Sequence, residues 1–129
     1  MREKWRIEMI FGIGVDIIEV GRIQKLAEKS HRFLKRVFTD EEIRYCSGKK
    51  NKYQHLAARF AAKEAFFKAL GKKINWIDVG VVNLPSGKPE LAFQGNISFP
   101  FDKSHVSLSH LKDYAIAYVV LETDGPPAD

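Results

Sequence analysis

The chain has 129 residues, 45% hydrophobic and 29% charged, with 21 Lys and Arg against 16 Asp and Glu for a net charge of +5. That length suits one domain with a real core and excludes two comfortable ones, while the basic balance favours an acidic or phosphorylated partner. A single cysteine, Cys46, excludes a disulfide framework or repeated-cysteine zinc site and fits a reducing compartment; the charged opening and the glycine-broken apolar run after it predict neither signal peptide nor membrane span, so the cytoplasm is the expected location.

Residues 1–8 read as an N-terminal extension, 9–122 as one domain, and 123–129, with two consecutive prolines, as a disordered tail. Over residues 9–17 the odd positions Met9, Phe11, Ile13, Val15 and Ile17 are all apolar. This period of two predicts a strand with that face on the core. The other face carries Ile10, Gly12, Gly14 and Asp16, a lane bare of bulk that ends in a carboxylate. Such a lane serves close packing against another backbone or close approach of a ligand. It lacks the third glycine of a dinucleotide-binding fingerprint.

After Glu19 a helix is expected, with Ile23, Leu26 and Ala27 inward and Arg22, Lys25, Lys29, Arg32 and Arg36 recurring at steps of three and four. If the helix continues that far, these bases make one stripe, either a solvated face or a docking surface for an acidic protein or nucleic acid. Thr39 and Glu42 form a capping-box pattern that opens a short helix including Tyr45. Lys49, Lys50 and Lys52 then mark a polar loop.

Residues 59–70, closed by Gly71, form the central helix. Leu56, Phe60 and Phe67 share one face, and Ala62, Ala65 and Ala69 with Phe66 occupy the opposite one. A helix without a wet stripe is a buried helix. Its charges, Arg59, Lys63, Glu64 and Lys68, therefore need a cleft, a partner or one another; a Glu64–Lys68 pair at four-residue spacing is the local option. Beyond Gly71 the chain turns strand-rich, with extended stretches at 76–82 and 90–93 flanking turn residues 83–89. Residues 105–110 and 114–121 read as two paired antiparallel strands. His105, Ser107 and Ser109 point one way, toward phosphate oxygens or water. Ser109 and His110, adjacent along a strand, point oppositely and make no nucleophile and base. The whole reads as α+β, a small antiparallel sheet packed around a central buried helix.

Asp16, from a strand end, and Glu64, from a helix flank, offer two hard oxygen donors with no sulfur, a set that suits magnesium better than zinc. Arg59, Lys63 and Lys68, with Lys88 and His105 from the strand-rich half, then serve as phosphate ligands, and the inferred substrate is polyphosphorylated. A nucleic-acid-binding domain using Arg22, Lys25, Lys29 and Arg32 is the competing reading, disfavoured by the modest net charge and by phenylalanines that sit at core spacing.

Five segments together resemble the holo-acyl-carrier-protein synthases of the phosphopantetheinyl transferase superfamily: Gly12-Ile13-Gly14-Val15-Asp16 followed by Arg22, Phe38-Thr39-x-x-Glu42, Arg59-Phe60-Ala61-Ala62-Lys63-Glu64-Ala65-x-x-Lys68, Gly87-Lys88-Pro89, and Val106-Ser107-Leu108-Ser109-His110. The resemblance runs in order from Met9 to about Glu122, and the family commonly begins at the equivalent of Met9. It implies magnesium-dependent transfer of phosphopantetheine from coenzyme A to a serine of apo-acyl carrier protein, with release of a bisphosphorylated adenosine. By the same resemblance Asp16 and Glu64 bind the metal, Lys68 steadies the phosphates, and Arg59, Lys63, Gly87, Lys88, Pro89, His105 and Ser109 contact coenzyme A. Arg22, Lys25 and Lys29 would dock the acidic carrier, and the general base lies between Glu64 and a water on the metal. The family further implies a homotrimer with sites between subunits, and no nucleic acid or membrane as partner.

Overall fold

A computed structural model describes residues 8–124. The elements, in chain order, are β1 (Glu8–Glu19), α1 (Val20–Lys29), α2 (His31–Val37), α3 (Asp40–Ser47), α4 (Lys52–Leu70), a 3-10 turn (Trp76–Asp78), β2 (Val79–Asn83), β3 (Pro89–Phe93), β4 (Lys103–His110) and β5 (Tyr114–Asp124). The architecture is α+β: an antiparallel sheet of order β1-β5-β4 and a separate β2-β3 hairpin around α4. Glu8 belongs to β1 and pairs with Asp124, and Thr123 pairs with Met9, so β5 extends two residues into the stretch expected as a tail. Residues 1–7 and 125–129 of the expected extension and tail lie outside the described residues.

The central helix is longer than its motif, beginning at Lys52 and closing on Gly71, whose left-handed φ of 88° lets its N–H return to the Phe67 carbonyl at 2.9 Å. Buried residues lie all round it. One side lies on β1 and β5. The other packs an aromatic cluster, in which Phe66 touches Phe93, Phe99 and Phe101 edge-on or tilted, and Phe67 meets Trp76 at 5.1 Å between ring centroids.

The orientation of β1 is the reverse of the one its apolar pattern predicts. The bare lane faces α4: a Cβ on Gly12 would lie 1.9 Å from the Ala69 carbonyl oxygen, and one on Gly14 1.9 Å from that of Ala65. Gly12, Gly14 and Asp16 stand opposite Leu121, Val119 and Ala117 of β5, all three buried. The apolar residues face outward. Ile13, Val15 and Ile17, beside Val120, Tyr118 and Ile116, leave a sheet face on which Ile17 is 62% exposed and Tyr118 44%. Helix backbone fits against strand backbone only where side chains are missing, so the glycines decide which face turns inward. Phe11 falls at a register shift between Ile10 and Gly12 and tilts against Phe101.

The basic helix also differs from expectation. Ser30, extended at φ −147° and ψ 110°, ends α1 and caps α2 by accepting the Phe33 N–H on Oγ at 3.2 Å. Arg22, Lys25 and Lys29 therefore lie on a different helix from Arg32 and Arg36, and the stripe is not continuous. The Thr39–Glu42 capping box forms as its pattern predicts, with bonds of 3.1 and 2.9 Å. No helix among the described residues is long and apolar enough to cross a membrane.

Candidate active site

Asp16 sits on the inner face of β1, where the glycine lane ends, and receives the Lys68 ammonium at 3.2 Å; the same ammonium donates to the Val15 carbonyl at 3.0 Å. A lysine side chain leans toward the N-terminus of its helix, which carries Lys68 back along α4 to β1. With its ammonium on Asp16 and the Val15 carbonyl, Lys68 does not form the four-residue pair with Glu64. Glu64, half-buried one turn before Lys68, has no hydrogen bond or ion pair among the described residues. A carboxylate left in this state one helical turn from the lysine that holds a second one could serve with it as a cation ligand. The described residues hold no cluster of three or more His, Cys, Asp or Glu, so a metal here would have two protein carboxylates and several positions for water and ligand oxygens. That donor set fits magnesium and not structural zinc.

A second locus opens between α4 and the β2-β3 hairpin, a cleft of about 210 Å³ whose walls include Tyr45, His55, Arg59, Asn83, Gly87, Pro89 and His110. Arg59 is only 2% exposed. Its guanidinium lies 4.5 Å over the Tyr45 ring and donates to the His55 carbonyl at 3.2 Å and to Asn83 Oδ1 at 2.7 Å, leaving Nε without a partner. Asn83 in turn donates to the Gly87 carbonyl at 3.0 Å, so the arginine and the hairpin turn are held in one frame. His110 meets Gln54 Oε1 through Nδ1 at 2.8 Å and packs edge-to-face on His55 with centroids 4.9 Å apart. Burial, followed by the charges of His110, Arg59 and Lys49, lowers the His55 pKa. The cleft is thus a positive hollow with room for an anionic group. None of Asp16, Glu64 and Lys68 lines it.

The remaining expected coenzyme A contacts divide. Gly87 and Pro89 line the cleft with Arg59; Lys88 is exposed at the hairpin, its N–H bonded to Ser86 Oγ at 3.3 Å. His105 and Ser109 lie on the outward face of the sheet, opposite Val120 and Ile116, and His105 pairs with Glu122. Lys63 is a correction. It is 0% exposed, and its ammonium donates to the Val37 carbonyl at 2.6 Å and the Trp76 carbonyl at 3.1 Å and pairs with Glu42 at 2.6 Å. With three donors spent inside the protein, it has none for coenzyme A.

Arg22, Lys25 and Lys29 are exposed on α1, and Arg22 borders a hollow of about 340 Å³ with Ile17, Ile18, Glu19 and Tyr114. Sequence reasoning passed over Asn83, His55 and His110 as cleft residues. For His110 a signal was present: the alternation over 105–110 turns it away from Ser109, and it does face inward, opposite buried Ala115. For Asn83 there was none, since a turn asparagine has many uses.

Residues 12–119 match the family model of the 4'-phosphopantetheinyl transferase superfamily. The chain is 46% identical over 124 residues to the holo-[acyl-carrier-protein] synthase of Geobacter sulfurreducens, covering 88% of this chain and 98% of that protein. Among solved structures, the holo-(acyl-carrier-protein) synthase of Bacillus anthracis in complex with CoA (3',5'-ADP) superposes with a TM-score of 0.77 at 40% identity, covering 89% of this chain and 98% of that one. That of Neisseria meningitidis gives 0.79 at 33% identity, covering 89% and 100%.

Proposed function

The chain belongs to the holo-[acyl-carrier-protein] synthases of the 4'-phosphopantetheinyl transferase superfamily, and from that premise we propose that it transfers phosphopantetheine from coenzyme A to a serine of apo-acyl carrier protein. In the reaction a bond forms between the serine Oγ and the phosphorus bearing the pantetheine arm, the hydroxyl proton passes to Glu64 or to water, the diphosphate P–O bond breaks, and a bisphosphorylated adenosine leaves. The observation that carries the reading is Glu64, without a partner among the described residues, one helical turn from the Lys68 that holds Asp16. These carboxylates would hold magnesium, which when bound would supply Lewis-acid polarisation of the attacked phosphate and offset charge on the leaving group. Lys68, exposed and bonded once each to Asp16 and the Val15 carbonyl, would steady a phosphate oxygen with its ammonium. Arg59, with its spare Nε–H, and His110 supply donors for the nucleotide phosphates, and Gly87, Lys88 and Pro89 form the rim that receives the adenosine end. Arg22, Lys25 and Lys29 dock the acidic carrier. The reaction belongs to fatty acid synthesis in the cytoplasm, where a buried free thiol such as Cys46 stays reduced.

The working unit in this reading is a homotrimer. Two features support association: the outward apolar face of β1 and β5, on which Ile13, Val15, Ile17, Ile116 and Tyr118 are all exposed, and the absence of Asp16, Glu64 and Lys68 from the walls of the Arg59 cleft. A neighbouring copy seated on the sheet would complete each site, bringing His105 and Ser109 to the junction.

The test is incubation with coenzyme A, magnesium and apo-acyl carrier protein, followed by intact mass of the carrier. A phosphopantetheine-sized gain that a chelator abolishes is expected. An unmodified carrier with active control enzyme alongside would overturn the assignment.

A further inference from the structure

The Glu42–Lys63 ion pair takes no part in the transfer as described, yet five segments converge on it. The Lys63 ammonium holds the Val37 carbonyl at the end of α2, the Trp76 carbonyl in the 3-10 turn and Glu42 in α3. Glu42, 1% exposed, accepts the Thr39 N–H on Oε1 and, on Oε2, the Val81 N–H of β2 at 2.9 Å. Two residues along the same strand, Asn83 takes the Arg59 guanidinium. The hairpin is therefore tied to α4 directly through Asn83 and, by way of Glu42 in α3, through Val81, and Lys63 immediately precedes Glu64. Stability alone does not explain such a pair, because apolar replacements of buried ion pairs are often neutral or stabilising.

We propose that Lys63 and Glu42 are positioning residues for the transfer: their pair sets the rotation of α4, and so the aim of Glu64 and Lys68, relative to the hairpin that carries Asn83 and Gly87. This rests on the transferase reading above. Neither residue touches substrate; they act through their neighbours.

The test compares Lys63→Met with the wild type at a temperature where circular dichroism shows both folded. Loss of aim predicts a fall in kcat of ~10- to 100-fold with the KM for the carrier, which docks on α1, unchanged to within about twofold. A purely structural pair predicts wild-type kcat in any variant that folds, and that result overturns the proposal. Glu42→Gln, which keeps side-chain volume and the capping-box residue type, carries the test if Lys63→Met does not fold; its expected fall in kcat is about tenfold. Absence of transfer by the wild type itself would overturn both the transferase reading and the positioning role, whereas an active wild type with equally active variants removes only the latter.

Discussion

Gly14 lies against the Ala65 carbonyl so closely that a Cβ would come 1.9 Å from the oxygen and 2.9 Å from the Ala69 nitrogen. Both neighbours are helix backbone, so no flexible side chain can give way. Gly14→Ala is expected to cost at least about 2 kcal/mol through forced separation of β1 from α4. Gly21, in α1, meets nothing within 4 Å of its Cβ position, and Gly21→Ala is expected to stabilise by about 0.5–1 kcal/mol. Urea denaturation of the two variants checks both signs; a neutral Gly14→Ala would refute the close contact.

Glu64→Ala removes a side chain with no hydrogen bond or ion pair among the described residues, so the thermal midpoint should hold while phosphopantetheine transfer is lost. Asp16→Ala releases Lys68 as well as a metal ligand, and the same loss is expected. Mass spectrometry of the carrier after reaction with each variant decides it. Transfer at the wild-type rate by either would remove these carboxylates from the mechanism.

On the outward sheet face Val15 stands opposite Tyr118 and Ile13 opposite Val120. Tyr118→Glu, or Ile13→Glu, would bury an unpaired carboxylate in any contact made by this apolar face. The expected result is a shift from trimer to monomer by light scattering, with loss of turnover. A wild type that is monomeric and active would refute both the assembly and the shared site.

His55 carries a lowered pKa from burial and from the charges of His110, Arg59 and Lys49. Its unfolded form, near the usual value of about 6.5, binds more protons than its folded form in the window just below that value. Stability should therefore fall as pH drops below about 6.5 and level off once the folded ring is protonated. His55→Phe, which keeps an aromatic ring against Tyr45 and His110, should flatten that part of a thermal-midpoint curve from pH 7.5 to 5.5. An unchanged slope would exclude His55 as its source.

Much was legible because it is local. The capping box of Thr39 and Glu42, the stop at Gly71, the wetless helix and the opposed directions of Ser109 and His110 all follow from spacing along a few residues, and all appear in the structure. Ser30 is the local exception, for its cap on α2 interrupts a pattern of bases that would otherwise read as unbroken.

By itself, then, the sequence determined most of the elements, the α+β class and the residue types able to hold a metal and phosphates, since these depend on propensity and period. Only the tertiary structure decided three further matters: that the glycine lane rather than the apolar face of β1 turns inward, that Lys63 is consumed within the core, and that Asn83 joins Arg59 to the hairpin. A period of two says that a strand has two unlike faces. Which of them is buried depends on how closely another segment can approach, and that distance is a property of pairs of segments far apart in the chain.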